Sequence, residues 1–79
     1  MATRDKRLAK IRRNPRTVRF AQMRVVLEDF GFVARRGNGD HVVFSHPLLA
    51  DVLPIPEKRP YILAPYVKDA LALIDRLLA

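Results

Sequence analysis

"RRGNGDHVVFSHP", Arg35 to Pro47, combines a glycine turn with a strand that opens on a histidine. Gly37, Asn38 and Gly39 tolerate the positive φ that a tight chain reversal demands. Beyond them, alternation puts Val42, Phe44 and His46 on one strand face and His41, Val43 and Ser45 on the other. "FVARR" just before the turn is a second strand candidate, so the two make a hairpin. Further on, "ADVLPIP" reads as a third strand at a sheet edge, because Pro54 and Pro56 have no amide donor.

The flanks of this hairpin are helical in pattern. Thr17 is a candidate N-cap. Phe20, Met23, Leu27 and Phe30 recur at helical spacing with Val26 beside them, and Arg24 and Glu28 fall opposite. Gly31 suits the left-handed residue that ends such a helix. After the third strand, "EKRPYILAP" is a loop carrying Lys58 and Arg59, and Pro65 suits the start of a last helix. Val67, Leu71, Ile74 and Leu78 form its expected buried stripe, with Lys68, Asp69 and Arg76 exposed. The expected fold is therefore α+β with the order α-β-β-β-α. Two helices cover one face of a three-stranded antiparallel sheet and leave the other face open.

Residues 17–79 make up this domain, and residues 1–16 precede it as a basic arm interrupted by "RNP" at Arg13–Pro15. The net charge of +7 lies in residues 1–19, the arm and the first turn after it. Arg4, Lys6, Arg7, Lys10, Arg12, Arg13, Arg16 and Arg19 stand against Asp5 alone, and the remainder of the chain balances. Such an arm is a footprint of nucleic-acid binding, and also the composition of a solubilising tail. With little apolar periodicity, its removal is expected to spare the core.

Composition narrows the chemistry further. The chain has 79 residues and no cysteine, so it is read as one small domain without disulfides, thiol nucleophile or Cys-type zinc site. No apolar run is long enough for a membrane span or signal-peptide core, and a soluble, cytoplasmic protein is expected. No P-loop, dinucleotide fingerprint or Ser/His/Asp set is present. Two histidines on opposite strand faces do not make a metal site, so neither metal nor cofactor is expected.

The hairpin carries the candidate site. His41 is expected on the open face near the turn, with Arg35 and Arg36 close by. An imidazole exchanges protons near neutral pH. RNA offers a matching reaction, in which a base takes the 2′-hydroxyl proton, the oxygen attacks the adjacent phosphate, and cations stabilise the charge. The plain alternative is a surface histidine without chemistry. His46 is read as structural, bonded to nearby backbone.

The helix ending in "DFGF", then "ARRGNGDHVVFSHP", a further strand and "PYVKDALALI" resemble the HicA family of toxins from about Arg13 onward. That resemblance implies a double-stranded-RNA-binding-like fold, a metal-independent endoribonuclease acting on mRNA, and a HicB-type antitoxin as partner. Gly39, Asp40 and His41 stand where the family has a glycine, a small polar residue and the catalytic histidine, followed by Phe44, His46 and Pro47. The resemblance gives His41 the role of general acid/base. Arg35, Arg36, Gly39, Lys58 and Arg59 are expected to contact RNA, joined by Arg12, Arg13 and Arg16 from the arm. Two departures stand out. Asp40 brings negative charge to a site that must accept phosphate, and Ile62 and Leu63 precede Pro65–Tyr66 where many relatives are basic. Tyr66 is read as a core residue. A noncatalytic RNA-binding module is the alternative function. A DNA-binding role is disfavoured because neither helix has a basic face suited to the major groove.

Overall fold

A computed structural model describes residues 3–79. The elements run α1 (Thr3–Arg13), α2 (Phe20–Asp29), β1 (Val33–Arg36), β2 (His41–Ser45), β3 (Leu53–Pro56) and α3 (Ala64–Leu78). The strands form one antiparallel sheet in the order β1-β2-β3. The expected α+β meander is the observed fold, with α1 added in front of it.

Alternation along β2 decides the layers. Val42 and Phe44 are buried, and Ala34, Leu53 and Ile55 join them on the same face through the registers Ala34↔Phe44, Phe44↔Leu53 and Val42↔Ile55. Met23, Val26 and Leu27 of α2 and Val67, Ala70, Leu73 and Ile74 of α3 complete the core. Phe20 packs against Phe44, ring centroids 6.2 Å apart. The opposite face bears Val33, Arg35, His41, Val43 and Ser45, with no element over it among the described residues.

Local chemistry sets the boundaries. α2 begins at Phe20 and not directly after Thr17. The Gln22 side chain accepts the Arg19 N–H at 3.0 Å, which satisfies the backbone of the capping residue. Thr17 belongs instead to the turn that follows α1, its N–H donating to the Asn14 carbonyl. Gly31 ends the helical stretch with φ at +91°. In α3 the buried stripe uses Ala70 and Leu73, while Leu71 is half-buried and Leu78 is exposed at 54%. At 3.6 residues per turn Leu78 stays within about 20° of Val67 around the helix, so its exposure comes from its place at the very end of α3 and not from a change of face.

α1 is the main departure from expectation. The stretch read as an arm is helical up to Arg13, immediately before Asn14-Pro15, and it is docked. Leu8 and Ile11 are buried at 6% and 1% exposure and belong to the single core. They lie one turn apart, and Arg7 and Arg12 flank them. Arg7 forms a two-pronged bond to Asp29 of α2, at 2.8 and 2.7 Å, and Arg12 pairs with Asp75 of α3. Arg4 lies over the Phe30 ring, 4.6 Å from its centroid. Lys6, Lys10 and Arg13 recur one per turn on the outer side. Two buried side chains are few, which is why helical periodicity is faint in a stretch dominated by cations. The expectation that the core is independent of this segment is corrected accordingly.

Truncating Ile11 to Ala removes a buried side chain from a domain of this size. Such changes cost about 2–5 kcal/mol, a large share of the roughly 4–12 kcal/mol expected for 79 residues. Urea unfolding of Ile11→Ala should show that loss, whereas an arm outside the core would leave the midpoint unmoved. The ion pairs predict a pH dependence. Hydrogen bonding from Arg7 holds the Asp29 carboxyl below its usual value, and Arg12 does the same at Asp75. A depressed folded-state pKa stabilises above the unfolded value near 3.9, and that contribution is lost as pH falls through the folded one. Melting temperature should therefore drop as pH falls from about 5 toward 3, and the Asp29→Asn variant should show a shallower drop.

Candidate active site

His41 opens the central strand immediately after the turn. The Gly37 N–H donates to the His41 carbonyl at 2.9 Å, and the His41 N–H donates to the Asn38 carbonyl at 3.1 Å. Gly39 has φ +60°, a conformation that side-chain-bearing residues rarely adopt. A Cβ at Gly37 would meet Val43 Cγ2 at 3.1 Å and the His41 carbonyl oxygen at 3.3 Å. The turn is thus closed tightly around the histidine, and its imidazole is 45% exposed on the uncovered sheet face.

Two charged neighbours set the electrostatics. Asp40 Oδ1 lies 3.4 Å from His41 Nδ1, past ordinary hydrogen-bond length but within ion-pair reach. Strict alternation would separate the two side chains, and the turn brings them together. Arg35 pairs with Val43, so it shares the His41 face as a diagonal neighbour, roughly 7–8 Å away at the backbone and within reach of a long side chain. Among the described residues, neither Arg35 nor His41 Nε2 has a hydrogen-bond partner.

Arg36 lies elsewhere. It pairs with Val42 and so belongs to the helix-side face, where its guanidinium reaches Glu57 at 3.4 Å. The expected convergence of both arginines on His41 therefore holds for Arg35 alone, since successive strand residues face opposite ways. Lys58 and Arg59 follow Pro56, the cross-strand partner of His41, and stand at the same end of the sheet. The Glu57 N–H donates to the Asp40 carbonyl at 2.9 Å, tying their loop to the turn. Arg13 and Arg16 line a shallow surface with Asn14, Pro15 and Thr17, and Arg12 is engaged by Asp75. The sequence offered no sign that Arg12 and Arg36 have carboxylate partners, because those partners are distant in the chain.

His46 is a structural residue. Its Nδ1 accepts the Leu48 N–H at 3.0 Å, so Nε2 carries the proton and donates to the Phe30 carbonyl at 2.9 Å. The ring meets Phe32 edge-on at 5.1 Å. A Cβ at Gly31 would come within 3.0 Å of His46 Nε2, so the glycine makes room for the ring. With both nitrogens occupied and the two histidines on opposite faces, they share no site. Among the described residues no cluster of three or more His, Cys, Asp or Glu could hold a metal ion. Nor is any helix among them long and apolar enough to cross a membrane. Tyr66 packs half-buried against the core, as expected.

No protein-family model, curated protein or solved structure matches this chain.

The two histidines give a direct test of this division of roles. His46→Ala strands the Phe30 carbonyl and Leu48 N–H and should cost about 1–3 kcal/mol. His41→Ala removes a half-exposed ring and should shift stability by no more than about 0.5 kcal/mol. Paired denaturation curves check both, and equal losses would make His41 a structural residue.

Proposed function

We propose that this chain is a metal-independent endoribonuclease of the HicA type, the toxin of a toxin–antitoxin pair, with His41 as its general acid/base. One observation carries the reading: a half-exposed imidazole at the mouth of the central strand, on an uncovered face shared with Arg35. The resemblance around Gly39–His41 supports it independently of the geometry.

The reaction follows from these groups. Nδ1 lies toward Asp40, which leaves Nε2 as the nitrogen to meet the substrate. Neutral His41 takes the proton from a ribose 2′-hydroxyl, and the 2′-oxygen bonds to the adjacent phosphorus. The bond to the 5′-oxygen breaks, and that oxygen leaves with a proton from water. The products are a 2′,3′-cyclic phosphate and a 5′-hydroxyl end. The Arg35 guanidinium is suited to the negative charge that builds on the phosphoryl oxygens. Such an activity fits the cytoplasm, where mRNA is found. It also calls for an inhibitor, and an acidic HicB-type antitoxin would complement the cationic surface and the bare sheet face.

Asp40 restrains the reaction in this reading. Its carboxylate repels the approaching phosphate, and at 3.4 Å between exposed side chains its grip on the ring is loose. Repulsion between unit charges at 4 Å is about 1 kcal/mol in water. Asp40→Ser should therefore speed cleavage up to about fivefold. A noncatalytic RNA-binding module is the alternative, using the same cations while leaving RNA intact. Incubation of the purified protein with RNA in EDTA separates the two. The first reading expects cyclic-phosphate ends from the wild type, faster release from Asp40→Ser and none from folded His41→Ala. Intact RNA, or equal cleavage by His41→Ala, overturns it.

A further inference from the structure

An open cleft of about 560 Å³ lies at the His41 end of the sheet, lined by Arg19, Phe20, Ala21, Glu57, Lys58, Arg59 and Pro60. Its walls are held from both sides. The loop between β3 and α3 is tied at Glu57 to the Asp40 carbonyl, and at Ile62, by an N–H bond of 3.0 Å, to the Val18 carbonyl just ahead of α2. Val18 and Ile62 are both buried, at 1% and 2% exposure, so the second tie is anchored in the core. The loop and the start of α2 are thereby kept facing each other across the cleft.

The charge in this cleft has a direction. Its carboxylate, Glu57, is already engaged by Arg36 from beneath the hairpin. Arg19, Lys58 and Arg59 have no carboxylate partner among the described residues, whereas Arg7, Arg12, Arg24, Arg36 and Arg76 each have one. Three exposed cations from two segments thus line one preformed hollow, a concentration of positive potential suited to an anion.

Position decides which anion. Pro56 faces His41 across the ladder, about 5 Å away at the backbone, and Lys58 is at most ~7 Å further along the chain. A sugar–phosphate backbone passing His41 and continuing over the end of β3 meets Lys58 and Arg59 next. The geometry points to a seat for phosphates of a single RNA strand in this cleft, flanking the linkage held at His41. This assignment rests on the reading of the His41 face as the place where RNA is cut. Arg19 and Arg59 bind the phosphate oxygens through planar guanidinium groups, Lys58 adds a mobile point charge, and Phe20 forms the apolar wall. A strand, and not a duplex, suits a hollow of about 560 Å³.

The test uses the full chain and a short single-stranded oligonucleotide carrying 2′-O-methyl groups, which binds but has no free 2′-hydroxyl to attack. Affinity is measured across a salt series for wild type, the Arg19→Gln/Arg59→Gln double variant and Lys68→Gln, an exposed control on α3. The double variant should bind roughly tenfold more weakly at low salt. Its logarithmic salt slope should be shallower by about 0.7 for each phosphate that is no longer neutralised, while Lys68→Gln keeps the wild-type slope. In the wild type, NMR shifts on adding the probe should include the amides of Phe20, Ala21, Lys58 and Arg59 and spare Asp69 and Ala72. A folded double variant with the wild-type slope, or shifts confined to the His41 face, overturns the assignment. Should the double variant unfold, the wild-type shift map decides alone. Because the probe cannot be cut, binding through the cleft by a protein that cleaves no RNA would refute the ribonuclease reading and leave this site standing.

Discussion

Burying Phe44 constrains everything else in this molecule. It sits fully enclosed in the middle of the central strand, with Ala34 and Leu53 beside it and Phe20 above. In a pleated strand, a residue an odd number of places away must face the other side. His41, three residues earlier, therefore cannot enter the core without expelling Phe44 from it. The same burial puts Arg35 on the uncovered face and Arg36 on the helix-side face of the neighbouring strand. A packing decision in the hydrophobic layer thus determines which polar groups meet on the bare one.

Much of this was legible in the sequence, for identifiable reasons. The glycine turn, the alternation from His41 to Ser45 and the helical spacing from Phe20 to Phe30 are local signals, and each describes the element that formed. Gly31 and Pro65 punctuated as their backbone preferences dictate. Local signals failed where long-range partners decided the outcome. Leu8 and Ile11 alone are too sparse a stripe to announce a docked helix, and Asp29 and Asp75 lie too far away in sequence to be paired with Arg7 and Arg12 by inspection. The same holds for Arg36 and Glu57. For the candidate site, the exposure of His41 and its company with Arg35 followed from strand geometry. Its approach to Asp40 depended on how the turn closes, which alternation cannot supply.

The basic character of the chain divides into two populations. Part of the cationic charge is structural: Arg7 and Arg12 hold α1 to the other helices, and Arg36 neutralises Glu57. Arg24 and Arg76 are likewise paired, with Glu28 and Asp51, whereas the cations on the outer stripe of α1 and around the cleft beyond β3 have no carboxylate partner among the described residues. Net charge alone would credit both populations to binding. Only the second is available to an anionic partner without cost to the fold, because recruiting the first would leave Asp29 or Asp75 unpaired.

The thin attachment of α1 shapes how the molecule unfolds locally. The helix contributes two side chains to the core and is otherwise held by partly exposed ion pairs, which salt weakens. Segments with so little buried apolar area open at lower free energy than the core they rest on. Backbone amides of α1 thus belong to the fast-exchanging end of the native ensemble, and those of β2, laddered on both sides, to the slow end. A protease probing the native protein would find its first foothold between Arg4 and Arg13.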